Sequence, residues 1–264
     1  MPIITLTTDF GLTDGYVAAM KGVIAGIAPQ ATVIDITHQL APQNVRDAAY
    51  VLASVLPYFP PGAVHLAVVD PGVGSARRPI AAAVGDLFLV GPDNGLFTCV
   101  WQSGQPAACI ALDNPAYWRP QVSHTFHGRD IFAPVAAHLA NGVALAALGT
   151  AIADPLLFDV LAPQRRLDGS LAGQIIHVDH FGNLVSNIPG DWLAGRGWAV
   201  HIAGRQLLGP SLSYAAAAPG QLLALVSSGA TLEIALRDGS AASRLRVAVG
   251  EPIVAHPHET GSSA

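Results

Sequence analysis

Charged side chains are scarce in this chain: Asp, Glu, Lys and Arg make up 12% of its 264 residues, about half the share of an ordinary soluble domain. Lysine occurs once, at Lys21, and the formal net charge is -5. A nucleic-acid binder needs clustered cations to neutralise phosphates, so that class is excluded. Cysteine occurs twice, as the isolated Cys99 and Cys109. Neither a disulfide framework nor a cysteine metal site fits, and a reduced, cytoplasmic protein is expected. No apolar run approaches the roughly 20 residues that cross a bilayer, and the start lacks a basic signal-peptide region, so no membrane partner is expected. What is present is an apolar content of 51% over a length that holds one large or two modest domains. A surface so poor in charge is expected to be partly buried in an oligomer.

The most informative stretch runs from Val68 through Asp70-Pro71-Gly72-Val73-Gly74 to Arg77-Arg78. An apolar strand (64–69) delivers a carboxylate into a glycine loop, and ligands of open α/β sheets sit beyond the carboxyl ends of strands. A phosphate cradle is excluded, because no helix start follows. Instead 80–84, Gly85-Asp86 and 87–90 read as a hairpin with a two-residue turn. The loop therefore presents side chains, Asp70 and Arg77, more than backbone amides. At the N-terminus a first strand (3–7) leads into Thr8-Asp9-Phe10-Gly11, and Thr13 or Asp14 is placed to cap a following helix. Asp9 then lies at the same sheet edge as Asp70. Its two acceptor oxygens suit the two hydroxyls of a ribose, although a turn with Gly11 accounts for it equally. A third patch, Val178-Asp179-His180-Phe181-Gly182-Asn183, offers a ring for stacking and polar groups for a ligand, or simply a β-turn. His177, Asp179 and His180 do not make a metal site, since alternate strand residues face opposite ways.

Strand and helix patterns alternate to about residue 160, which predicts an α/β domain (1–160) with a central, mostly parallel sheet flanked by helices. Val45, Ala48, Ala49, Leu52, Val55 and Leu56 keep helical spacing behind a cap at Asn44, with Pro57 just beyond. A later helix is expected from near Asp130 to Ala140, with His127 just ahead of it. Residues 161–169 read as a linker. Residues 170–255 read as a smaller all-β domain with strands at 173–178, 198–202, 222–226, 231–235 and 245–249. Residues 256–264 read as a disordered tail, in which His256 and His258 are solvated rather than metal ligands.

Taken together, TTDFGLTDGYVAAMKG, DPGVGSARR, Thr125-Phe126-His127-Gly128-Arg129-Asp130 and VDHFGNLVSN resemble the S-adenosyl-L-methionine hydroxide adenosyltransferases, the water-using relatives of fluorinase and chlorinase. The resemblance covers nearly the whole chain, in the family's order. It implies hydrolysis of S-adenosyl-L-methionine to adenosine and L-methionine by water attack at ribose C5′, with no cofactor and no metal. Asp70, Arg77 and His127 match the water-activating set; Arg77 is no base, so the proton acceptor is Asp70 or His127. Asp9 matches the ribose-binding carboxylate, and Asp179, Phe181 and Asn183 match substrate contacts of the second domain. Ser227, Ser228, Glu233 and Ala235 fall in the adenine-side segment, where Ala230-Thr231-Leu232 is one residue longer than the family pattern and Arg237-Asp238 replaces Asn-Gln. Where fluorinase carries Tyr, Thr and Ser around its halide, this chain has Asp70, Val73 and Gly128, and the segment between Arg78 and Leu87 is too short for the fluorinase insertion. A halide-dependent adenosyl transferase and a non-catalytic S-adenosyl-methionine or adenosine sensor are the alternatives. The resemblance further implies a homotrimer with active sites at subunit interfaces.

Overall fold

A computed structural model of the chain describes residues 1–103 and 106–258. It divides into two compact units, Met1–Phe158 and Asp159–Ala264. The first unit is built from strands β1 (Ile3–Thr8), β2 (Thr32–Thr37), β3 (Val64–Val68), β4 (Pro79–Val84), β5 (Leu87–Pro92), β6 (Ala108–Ala111) and β7 (Thr150–Ala151), with helices α1 (Tyr16–Ile27), α2 (Val45–Val55), α3 (Thr98–Ser103) and α4 (Ala133–Ala140). Successive strand residues point to opposite faces, and both faces are buried. Val64, Leu66 and Val68 of β3 pack with Met20 and Ile24 of α1 and Val135 and Leu139 of α4. Ala67 and Val69 face the other way, onto Leu52 of α2 and Trp101 of α3.

The sheet runs β2-β1-β3-β5-β4-β6-β7, and it is mixed where a mostly parallel sheet was expected. β2, β1, β3 and β5 are parallel neighbours. β4, β6 and β7 are antiparallel to theirs. The cause is the Gly85-Asp86 turn: two residues can only fold the chain back on itself, so β4 pairs antiparallel with β5. That arrangement also sends the loop after β3 across the carboxyl end of β5, because Pro79 of β4 pairs with Pro92 of β5. Asn44 caps α2 as expected, accepting from the Asp47 amide at 3.2 Å. Neither Thr13 nor Asp14 caps α1, which begins after Gly15 without a side-chain cap.

The second unit holds β8 (Gln164–Arg165), β9 (Leu171–Val178), β10 (Leu184–Pro189), β11 (Gly197–Ile202), β12 (Arg205–Gly209), β13 (Leu222–Val226), β14 (Thr231–Leu236) and β15 (Pro252–His258), with the short helix α5 (Ala241–Leu245). They form an antiparallel sheet in the order β12-β11-β15-β9-β10-β14-β13, with β8 on β9. A bridge between Ser211 and Leu225 brings the two ends of that order nearly to closure. Trp198, Ile188, Leu232 and Ile253 centre its core.

Three sequence expectations change here. The supposed linker contains β8, whose Gln164 and Arg165 pair with Ala172 and Leu171. The tail is ordered as far as His258, because His256 and His258 sit opposite Ala199 and Gly197 in a ladder; residues 259–264 lie outside the described residues. Residues 245–249 are no strand: Ser240 caps α5 through the Ser243 amide, and Arg246, with φ 56°, ends that helix in the left-handed conformation.

Candidate active site

Parallel pairing of β1 with β3 matches Thr8 to Val68, so Asp9 and Asp70 follow the carboxyl ends of neighbouring strands. Beyond β3 the chain turns through Gly74 at φ 78°, where a Cβ would collide with the His124 carbonyl oxygen. Only glycine fits both the conformation and the contact. The turn folds Arg77 back over Asp70. Arg77 Nε donates to Asp70 Oδ1 at 2.9 Å and to Oδ2 at 3.1 Å, and Nη2 donates to Oδ2. The same Nη2 donates to His127 Nδ1 at 2.9 Å. The side chains of Arg77 and Asp70 are 8% and 5% exposed, and the guanidinium lies 5.2 Å from the centre of the Phe132 ring. Arg77 Nη1 is buried with no acceptor among the described residues.

A guanidinium only donates, so His127 Nδ1 must be the acceptor and carry no proton. The neutral ring then has its proton on Nε2. Burial, and after it the charge of Arg77, hold His127 below its ordinary pKa, which keeps that neutral form at neutral pH. With Nδ1 occupied and Nε2 protonated, His127 has no lone pair for a further proton. Asp70 Oδ1 takes one donor and keeps acceptor capacity.

His127 is positioned by a π-helical turn, Gly128–Phe132, that runs directly into α4. Wide turns of this kind gather at functional sites. Its anchor is Asp130, whose side chain is fully buried. Asp130 accepts from Arg129 Nε at 2.7 Å, Arg119 Nη1 at 2.9 Å and the Ser123 amide at 2.9 Å. Burial alone would raise its pKa; the donors from Arg129, Ser123 and Arg119 prevail and lower it. In sequence Asp130 is legible as a helix start and as the end of the Thr125–Asp130 motif, but not as this anchor; the signal lies in Arg119 and Arg129, both of which precede it. Gly128 sits in close quarters, since a Cβ would stand 3.3 Å from Met20 Sδ and from the Phe126 ring and would require those side chains to give by a few tenths of an ångström.

Asp9 receives the Gln43 amide on Oδ2 at 2.7 Å, which leaves Oδ1 without a donor from that loop. In the second unit, Asp179 closes the turn between β9 and β10. Its Oδ1 accepts the amides of Phe181 at 2.9 Å and Asn183 at 2.8 Å, and Oδ2 accepts Asn183 Nδ2 at 2.9 Å. The turn thus presents Phe181, 73% exposed, and Asn183 at a cavity of about 650 Å³ lined also by Tyr214, Leu236 and Arg237. Ser227 and Ser228 lie in the turn between β13 and β14, and Glu233 and Ala235 are buried on β14; none of the four lines this cavity. Glu233 reaches it indirectly, accepting from the Tyr214 hydroxyl at 2.8 Å. Tyr214 escaped sequence reading; its only mark is an aromatic ring alone in an Ala- and Ser-rich loop.

Residues 4–149 match the SAM hydroxide adenosyltransferase N-terminal domain, and residues 173–254 match the C-terminal domain of the same name. This chain belongs to the SAM hydroxide adenosyltransferase family. Among its relatives, the (R)-S-adenosyl-L-methionine hydrolase of Salinispora arenicola is 44% identical over 255 residues, 96% of this chain and 97% of that protein. The fluorinase of an Actinoplanes species is 30% identical over 213 residues, 71% of this chain and 72% of that protein. The crystal structure of an uncharacterized conserved protein from Thermotoga maritima superposes with a TM-score of 0.90 at 35% identity, covering 97% of this chain and all (100%) of that one. In this SAM hydroxide adenosyltransferase, Asp70, Arg77 and His127 converge within the N-terminal domain.

Proposed function

We propose that this chain hydrolyses S-adenosyl-L-methionine to adenosine and L-methionine, with Asp70, Arg77 and His127 arming the attacking water. The observation that carries this reading is the closed Asp70–Arg77–His127 constellation, in which Asp70 is, by the resemblance, the counterpart of a halide-pocket residue of fluorinase. The sulfonium is already a good leaving group. As water attacks ribose C5′, the C5′–O bond forms and the C5′–S bond breaks, its electron pair going to methionine sulfur. The remaining need is to align the water and take its proton. Alignment in ideal cases supplies about 7–11 kcal/mol, and a positioned base adds about 10²–10⁴-fold. Arg77 Nη1 is the donor available to hold the water, His127 Nε2–H orients it, and Asp70 receives the proton. The substrate brings its own leaving group, so no cofactor enters the reaction. Asp9 binds the ribose, and Phe181, Asn183 and Tyr214 bind the adenosyl and methionyl parts. The homotrimer with sites between subunits belongs to the same proposal. The low charge fraction supports it, as does the exposure of Leu12 (64%) in the loop after β1, of Tyr16 (50%) at the start of α1 and of Phe181 in the turn between β9 and β10.

The reaction is tested by incubating the protein with S-adenosyl-L-methionine in heavy-oxygen water and separating the products. Adenosine labelled at its 5′-hydroxyl is expected. Unlabelled adenosine, or a chlorinated nucleoside formed in preference once chloride is added, overturns the assignment.

A further inference from the structure

Beneath the Asp9 loop lies a line of polar groups that the water-activating set does not use. His38, 3% exposed, follows the carboxyl end of β2, the parallel neighbour of β1. Its Nδ1 is 2.8 Å from Thr8 Oγ1. Thr8 Oγ1 in turn accepts the Phe10 amide at 3.2 Å, and the His38 carbonyl accepts the Gly11 amide at 2.7 Å. On the far side, His38 Nε2 is 3.1 Å from Asp35 Oδ1, close enough for ion pairing though not aligned as a hydrogen bond. Asp35 Oδ2 accepts from Lys21, the chain's single lysine, at 2.6 Å.

The polarity of this line is fixed. A bare Nε2 facing a carboxylate would set two lone pairs together, so a neutral ring carries its proton on Nε2 and its Nδ1 accepts the Thr8 hydroxyl. The hydroxyl oxygen is then free to accept the Phe10 amide. Thr8 and Phe10, on the two sides of Asp9, are thereby tied to one buried ring, Gly11 is held by the main chain of the same residue, and Lys21 balances the carboxylate that orients the ring.

We propose that His38 is a positioning residue for the substrate's ribose: through Thr8 and Phe10 its ring holds Asp9 at the angle that meets the two ribose hydroxyls, and the Lys21–Asp35 pair sets its tautomer. This rests on the assignment of Asp9 to the ribose made above. His38 touches no reacting atom, so its loss should appear in binding of the ribose and in nothing else of the ligand.

The test compares the affinity of the full-length protein for adenosine with its affinity for 2′,3′-dideoxyadenosine, by calorimetry. His38→Leu removes the ring's links to Thr8 and Asp35, leaves the main-chain bond to Gly11 in place, and is expected to weaken adenosine about tenfold. It should change dideoxyadenosine less than about twofold, since that ligand has no hydroxyls for Asp9. His38→Asn, whose amide oxygen can still accept the Thr8 hydroxyl, should recover most of the loss. Should His38→Leu fail to fold, Thr8→Val cuts the same line and must show the same selective loss. Equal weakening of both ligands marks a merely structural role and overturns the proposal, as does no weakening of either. A wild-type protein that binds adenosine and dideoxyadenosine equally also overturns it, because Asp9 then does not hold the ribose. A wild-type protein that prefers adenosine yet forms none from S-adenosyl-L-methionine refutes the reaction alone, and the His38 comparison still decides this point.

Discussion

At the scale of single residues the site turns on which atoms hold protons. Arg77 binds a carboxylate and an imidazole with one nitrogen, and its inability to accept fixes the tautomer of His127. The folded protein favours neutral His127, so protonation works against this arrangement: a proton on Nδ1 would face the Arg77 N–H. His127 therefore supports the fold and the site above its ordinary pKa of 6.5, and that support is lost as pH falls through the lower, folded value. The His127 ring followed by NMR should titrate below 6.5, and Arg77→Met should move it upward by removing a neighbouring charge while burial keeps it depressed. A ring that titrates at or above its ordinary value beside an intact Arg77 would contradict the tautomer. In the same series kcat should stay level from neutral pH down past 6.5 and decline only in more acidic solution.

At the scale of elements, the site is made by two departures from regular structure. One is the loop between β3 and β4, which crosses the end of β5 because a two-residue hairpin makes β4 antiparallel. The other is the π-helical turn ahead of α4. Gly74 lets the first approach the segment leading into the second closely, at the His124 carbonyl. Gly74→Ala asks an L-residue to take a left-handed conformation and also drives a methyl into the His124 carbonyl. A stability loss of about 1–3 kcal/mol is expected. Because the displaced loop carries Arg77, kcat should fall about a hundredfold or more while adenosine affinity changes little. Denaturant melts beside steady-state kinetics would show it. A stability loss with kcat intact would mean that the loop positions nothing.

At the scale of the whole molecule, two units each carry one set of candidate residues. Asp9, Asp70, Arg77 and His127 belong to Met1–Phe158, and Asp179, Phe181, Asn183 and Tyr214 to Asp159–Ala264. A head-to-tail ring would let one subunit's first unit serve with its neighbour's second. Asp70→Ala and Asn183→Ala, each nearly inactive alone, should then complement when co-expressed. With random mixing about a quarter of the interfaces join two intact halves. No recovered activity in mixed oligomers verified by mass spectrometry would refute the shared site.

Local pattern in the sequence determined a good deal of this protein. The Gly85-Asp86 turn specified its hairpin, Asn44 specified the start of α2, and the glycine loop after an apolar strand pointed to Asp70 and Arg77. Each is a short-range signal, written in residues a few positions apart. Other features depend on partners distant in the chain. That the sheet continues beyond its hairpin follows from β4 finding β6 as well as β5. His256 is ordered only because Ala199 lies across from it. Glu233 supports the cavity wall through Tyr214, nineteen positions away (|i−j|=19), where sequence could offer only a resemblance. The state of His127 was undecidable in sequence, since Asp70 and His127 read as equal bases. Fifty positions (|i−j|=50) separate Arg77 from His127, and their contact alone places the proton of the neutral ring on Nε2.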